Sequence, residues 1–207
     1  VIAIEKDPRL VELLKLKHKG NRRLRIVQGD VLKTKLPRFN KIVCTPPYNI
    51  SSRLILLLIS KRFRRAVLTL QKEFAERLVA KSGSPDYGRI SVMVQHRSSV
   101  ELAGVIYRGS FKPAPRVDSA VVVMRKKKPE VPIKNERLFS DVVRYLFTQR
   151  RKKVRKVLRK YLASLFGHEE IASQAPPPVP DVRVFQLTVN EFVRLSNDIY
   201  DMRRRAV

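Results

Sequence analysis

Three short runs carry residues whose types and placing can do chemistry. Glu5 closes the apolar run Val-Ile-Ala-Ile, Gly29-Asp30-Val31 closes a second apolar run, and Thr45-Pro46-Pro47-Tyr48 closes a third. In an open α/β sheet, ligands bind beyond the carboxyl ends of the strands. An acid at the end of one strand can accept hydrogen bonds from the two hydroxyls of a ribose, and an acid in a glycine turn can accept from the exocyclic amine of an adenine. A tyrosine after two prolines offers a flat ring on a stiff loop, because proline fixes φ and carries no N–H. Each run also has a plainer reading. Glu5 and Asp30 serve equally well as caps or ion-pair partners, and Pro-Pro-Tyr as a turn or a polyproline ligand. Their order along the chain favours the site.

The elements that must hold these residues follow from periodicity. Val1 to Glu5, Leu24 to Val27, Ile42 to Cys44 and Ala66 to Leu70 read as strands. Asp7-Pro8 caps and opens a first helix, in which Leu10, Val11, Leu13 and Leu14 recur at helical spacing. Ser51 or Ser52 is expected to cap a helix carrying Leu54 to Ile59, and Lys72 to Ala80 reads as a third helix. Alternation of this kind implies a mainly parallel sheet with helices on its faces. Ile90, Val92 and Val94 alternate, which fits a strand, although a helix fits the length too. Val100 to Ile106 and Ser119 to Met124 read as closing strands around the proline-stiffened loop Phe111 to Asp118.

Arg125-Lys-Lys-Lys-Pro129 marks a boundary, giving a partial catalytic unit over 1–128 and a helical unit over 129–207. In the second unit, Phe139, Val142, Val143, Leu146 and Phe147 form an apolar stripe. Nine bases and no acid fall between Arg144 and Lys160, with Val154, Val157, Leu158 and Tyr161 at helical spacing among them. A helix so basic is costly unless an anion lies near it. Ala175 to Pro180 reads as a polyproline linker. Thr188 and Glu191 form a capping box, with Leu187 and Phe192 as its staple, and start the last helix.

Composition narrows the partners. The chain has 207 residues and 45 Lys plus Arg against 18 Asp plus Glu, a net charge of +27. A polyanion, nucleic acid before an acidic membrane, is the expected partner, since adaptation to heat raises both signs of charge together. The longest apolar run is too short to cross a bilayer, and residues 1–20 mix acids and bases in a way no signal peptide does. The single cysteine, Cys44, rules out an intramolecular disulfide and suits a reducing, cytoplasmic setting. His18, His96 and His168 stand far apart, so no metal is expected.

The runs IEKDPRL, IVQGDVLK, TPPYNISS, QKEFAERLVAK and FKPAPRVDSAVV together resemble the KsgA-type rRNA adenine dimethyltransferases, a family related to the erythromycin-resistance methylases and mitochondrial transcription factor B. RYLFTQRRKKVRKVL resembles the family's small helical domain and VFQLTVNEF its final helix. The resemblance implies a Rossmann-like S-adenosylmethionine-dependent fold. It also implies methyl transfer to the exocyclic amines of adjacent adenosines near the 3′ end of small-subunit rRNA, in ribosome biogenesis on a pre-30S-type particle, by a monomer. By match, Glu5 holds the cofactor ribose and Asp30 and the backbone at Val31 its adenine, with Lys6 and Thr45 among the cofactor-binding residues and Thr45 also among the catalytic ones. Tyr48 and Phe111 sandwich the flipped base, and the carbonyl of Pro46 accepts from its amine. Arg150, Arg151, Lys152, Lys153, Arg155 and Lys156 are the expected RNA contacts.

Two departures stand out. The family loop opens with Asn, whereas Thr45 stands here, a shorter and β-branched acceptor. No G-x-G occurs in the 207 residues, and the family's glycine-rich cofactor loop precedes the strand that here begins at Val1. The sequence is therefore expected to be a trimmed or truncated product that binds S-adenosylmethionine poorly or not at all. Two alternatives are a non-catalytic ribosome-assembly protein of the same fold and a DNA adenine methylase, which also uses a Pro-Pro-Tyr loop.

Overall fold

The computed structural model describes residues 1–166 and 177–205. In chain order the elements are β1 (Ile2–Glu5), α1 (Pro8–Lys17), β2 (Arg25–Gln28), β3 (Lys41–Cys44), α2 (Ser51–Ile59), β4 (Arg65–Gln71), α3 (Lys72–Val79), α4 (Arg89–Arg97), β5 (Ser98–Ile106), β6 (Ser119–Lys126), α5 (Glu136–Phe147), α6 (Val154–Phe166) and α7 (Val189–Arg205). The mainly parallel sheet expected from the alternation is only half correct. β1 pairs with β2 in parallel and β3 with β4 in parallel, but β4–β6 and β6–β5 are antiparallel. The strands form two sheets, β1-β2 and β3-β4-β6-β5, whose ladders do not join. β5 and β6 are joined without a crossover helix, so β6 turns back antiparallel to β5 and also lies antiparallel to β4.

Local signals explain most helix boundaries. Asp7 caps α1, accepting from the amide of Arg9 at 2.9 Å, with Pro8 in the first turn and Lys15 and Lys17 in the last. Thr188 and Glu191 close the expected capping box: the Thr188 amide donates to Glu191 Oε2 at 2.7 Å, and the Glu191 amide donates to Thr188 Oγ1 at 3.3 Å. Leu187 and Phe192, the staple, are buried. The capping role expected of Ser51 or Ser52 is not realised. Ile50 occupies the cap, and Ser51 is buried in the first turn with its hydroxyl unpaired.

Two apolar cores result. One lies under the four-stranded sheet, where Ala66, Leu68 and Leu70 of β4 and Ala120, Val122 and Met124 of β6 meet Leu54, Ile55, Leu58 and Ile59 of α2. The other gathers α5, α6 and α7 around Phe139, Leu146, Leu158 and Phe192, and also draws in Ala80, Tyr87 and Val92 from upstream of residue 128. Helix α4 explains the ambiguous alternation at Val92 and Val94. Two positions apart on a helix point to nearly opposite sides, and here Val92 enters the helical core while Val94 enters the sheet core. A helix buried on two sides mimics the period of a strand.

Candidate active site

The carboxyl ends of β1 and β2 are level, with Glu5 opposite Gln28. The Gly29 amide donates to the Glu5 carbonyl at 2.8 Å, and this places Asp30 beside Glu5. Gly29 is required there by a close approach. A Cβ at that position would lie 2.7 Å from Thr34 Oγ1, and Thr34 is fixed by donating to the Asp30 carbonyl at 2.8 Å. Glu5 Oε1 accepts from the amides of Lys6 at 2.6 Å and Asp7 at 2.8 Å. Asp30 Oδ1 accepts from the Leu32 amide at 2.9 Å. Each carboxylate is thus oriented through one oxygen, and among the described residues neither Glu5 Oε2 nor Asp30 Oδ2 accepts a hydrogen bond. Lys6 Nζ stands 4.0 Å from Asp30 Oδ2. Two neighbouring carboxylates with free oxygens suit a ligand that brings hydroxyls and an amine. Val31 follows, half-buried.

The third strand end is built differently. Pro46 is buried, Thr45 is exposed and Tyr48 is half-buried in a short 3-10 turn over Tyr48–Ile50. The Pro47 carbonyl accepts from the Ile50 amide at 3.1 Å. No donor among the described residues reaches the Pro46 carbonyl. The Tyr48 hydroxyl lies 2.6 Å from Ser119 Oγ, and Ser119, the first residue of β6, is fully buried. Next to it, Asp118 accepts from the Arg108 amide at 2.9 Å through its side chain, and from the Lys72 amide at 3.0 Å through its carbonyl. Asp118 therefore closes the loop bearing Phe111 onto the same end of the sheet as Tyr48. Residue type alone assigns Asp118 and Ser119 no role, and their place in the run FKPAPRVDSAVV is the one signal in the sequence that points to them.

The site residues so fall into two groups, Glu5, Lys6, Asp30 and Val31 on the small sheet, and Thr45, Pro46, Tyr48 and the Phe111 loop on the larger one. No hydrogen bond among the described residues links them.

The model of the family described as ribosomal RNA adenine dimethylase matches residues 1–197. The chain belongs to the ribosomal RNA adenine dimethylase family. It is 45% identical over 199 residues to the probable ribosomal RNA small subunit methyltransferase A of Thermococcus onnurineus, covering 92% of this chain and 71% of that protein. With its counterpart in Methanosarcina mazei it shares 34% over 207 residues, covering 99% and 76%. Among solved structures it resembles a dimethyladenosine transferase from Plasmodium falciparum, with a TM-score of 0.78 at 28% identity over 98% of this chain and 82% of that one. The likeness to the 23S rRNA methyltransferase ErmE, a TM-score of 0.66 at 24% identity over 95% and 80%, bears on the fold alone. This dimethylase is thus a Rossmann-like methyltransferase that uses S-adenosylmethionine and acts on rRNA adenine.

In this member of the dimethylase family the expected RNA contacts do not share one helix. Arg150, Arg151, Lys152 and Lys153 lie in the turn between α5 and α6, and only Arg155 and Lys156 are helical. The turn runs alongside residues 182–185, with the Val154 amide on the Val182 carbonyl at 2.9 Å and the Phe185 amide on the Arg150 carbonyl at 3.1 Å. Arg150 is turned inward. Its guanidinium donates to the carbonyls of Tyr87 at 3.0 Å and Ser84 at 3.4 Å, and lies 5.5 Å from the Phe185 ring. That makes Arg150 a structural tie to the loop before α4. Lys153 pairs with Asp181 at 2.7 Å. Arg151, Lys152, Arg155 and Lys156 are exposed. The expected proline linker lies partly outside the described residues. Among the described residues no helix is long and apolar enough to cross a membrane.

Proposed function

We propose that this chain is part of an enzyme that dimethylates the N6 amines of adjacent adenosines near the 3′ end of small-subunit rRNA, on a pre-30S-type particle in the cytoplasm, as a monomer. The observation that supports the reading is the hydrogen bond between Tyr48 and Ser119, next to Asp118, whose side chain ties down the loop bearing Phe111. The relatives in Thermococcus and Methanosarcina, whose names specify the small subunit, support the choice of substrate.

In this reading the target base leaves its stack and is held between Tyr48 and Phe111. Its amine is a poor nucleophile, because the nitrogen lone pair is delocalised into the ring. The Pro46 carbonyl, rigid and without a donor among the described residues, accepts one amine proton, and the exposed Thr45 hydroxyl accepts the other. Both bonds favour a pyramidal nitrogen, and because the acceptors are fixed beforehand they cost little reorganisation. Glu5 Oε2 takes the ribose hydroxyls of the cofactor and Asp30 Oδ2 its adenine amine, with Lys6 and the Val31 backbone beside them. When bound, S-adenosylmethionine supplies an electrophilic methyl group. No side chain need act as base, since the methylated ammonium is acidic enough to lose its proton to water. The exposed bases Arg151, Lys152, Arg155 and Lys156 of the helical unit, residues 129–207, attach the rRNA backbone.

The test is transfer of labelled methyl to small-subunit rRNA, read by digestion to nucleosides. Dimethyladenosine is the expected product, and it should vanish with Tyr48→Ala. Label on other bases, or on DNA in preference to RNA, would refute the reading.

A further inference from the structure

A cavity of about 1050 Å³ opens between α5, α6, α7 and the start of α4. It shares no residue with the strand-end site or with the basic turn. α5, α6 and α7 each contribute a stripe, and α4 contributes Arg89. Arg137, Ser140, Asp141 and Arg144 recur at spacings of three and four on α5; Tyr200, Arg203 and Arg204 do so on the last turns of α7; Tyr161 and Leu165 are a turn apart on α6. Tyr161 and Leu138 are buried and make the floor, whereas Arg89, Arg137, Arg144, Arg203 and Arg204 are exposed around the rim.

Among the described residues, five guanidiniums and one carboxylate thus line the cavity. That carboxylate is already engaged, since Asp141 binds Arg144 at 2.5 Å and accepts from the Tyr161 hydroxyl at 3.1 Å. Arg144 holds the Asp141 carboxyl below its ordinary range, so the acid stays ionised and committed to Arg144. Among the described residues, Arg89, Arg137, Arg203 and Arg204 meet no carboxylate. Four arginines drawn around one hollow repel one another unless an anion sits between them. Guanidinium forks suit phosphate oxygens, and an aromatic wall suits a base. The volume, at the upper end of the about 300–1,000 Å³ usual for small-ligand sites, admits an unpaired nucleotide but no duplex.

We propose that this cavity is a second RNA site, taking an unpaired nucleotide of the substrate with its phosphates on the arginine rim and its base against Tyr200. It rests on the rRNA reading and would hold the substrate at a place separate from the reacting adenosine. Sequence-tolerant recognition of this kind combines stacking with salt-dependent phosphate contacts.

The test is fluorescence anisotropy with a labelled single-stranded oligoadenylate over a range of salt, comparing the wild type with R137Q/R203Q/R204Q. All three positions are exposed, so the variant should fold, and circular dichroism checks this. Affinity is expected to fall about tenfold or more, and the slope of log affinity against log salt to become shallower by about 2, at roughly 0.7 for each lost single-strand contact. The R137K/R203K/R204K variant should restore most of the slope. If affinity and slope are unmoved while K152E/K156E weakens binding, the cavity inference is overturned and the rRNA reading stands. If the wild type binds no RNA, both fall. If AMP alone binds the wild type and loses affinity in the glutamine variant while oligoadenylate binding is unchanged, the cavity is a mononucleotide site and the proposal is overturned.

Discussion

The hydroxyl of Tyr48 and Oγ of Ser119 lie 2.6 Å apart across 71 residues of chain, joining the end of β3 to the start of β6. Ser119 is fully buried, and Asp118 beside it fastens the Phe111 loop. One strand start therefore positions both aromatic groups proposed to hold the base. Ser119 itself touches no substrate in this reading and acts through Tyr48. Ser119→Ala should lower kcat about fivefold, from a lost hydrogen bond worth about 1 kcal/mol. Tyr48→Phe should do the same, and the double variant should be no worse than either. Additive losses in a double-mutant cycle of methyl-transfer rates would show that the two groups act independently.

Thr45 is the second test. Its hydroxyl reaches less far than the carboxamide of the family loop, so Thr45→Asn should raise the rate of methyl incorporation, by about fivefold if one amine contact worth about 1 kcal/mol is improved. An unchanged or lower rate would show that the hydroxyl is no handicap.

The basic turn should divide by burial rather than by charge. K152E/K156E, both exposed, should weaken rRNA binding and flatten its salt dependence while leaving the melting temperature near that of the wild type. Arg150→Ala should do the reverse, because it strips partners from the Tyr87 and Ser84 carbonyls. A stability loss of about 2 kcal/mol in urea is expected, for hydrogen bonds from a charged donor.

His96 makes stability depend on acid. It is buried against Phe139, and burial, followed by the charges of Arg97, Lys127 and Lys126, lowers its pKa to about 4. The unfolded chain takes up the proton at about pH 6.5, whereas the folded chain resists it until about pH 4. The native state therefore keeps its full margin above the unfolded pKa, loses it as pH falls from 6.5 towards 4, and loses no more from this group below that. The loss is on the order of 3 kcal/mol, and His96→Leu should flatten this part of the curve of unfolding free energy against pH. A wild-type curve already flat between pH 6.5 and 4 would refute the assignment.

Much of the candidate site was legible because it depends on residue type within a few positions. Asp7 before Pro8 makes a helix start in almost any setting, and so do Thr188 and Glu191; both caps stand where local chemistry puts them. The turn at Gly29-Asp30 and the stiff loop at Pro46-Pro47 are local for the same reason, and so are the acid, the glycine and the ring they carry. Family membership was legible in the same short runs.

What the tertiary structure decided depends on groups far apart in sequence. Val92 and Val94 alternate like a strand only because α4 is buried between two cores. Arg150 looks like Arg151 and Lys152 in the sequence, yet two carbonyls and a ring from other segments draw it inward. Ser119 became the anchor of Tyr48 only when β6 returned antiparallel to β4 and brought its first residue to the end of β3. The arginine cavity is divided among four helices, and the arginines of α5 and α7 each read alone as part of an ordinary solvated face. A sequence states which charges and rings exist and how they repeat along one element. Which of them meet is set by packing between elements, where burial and long-range hydrogen bonds outweigh local preference.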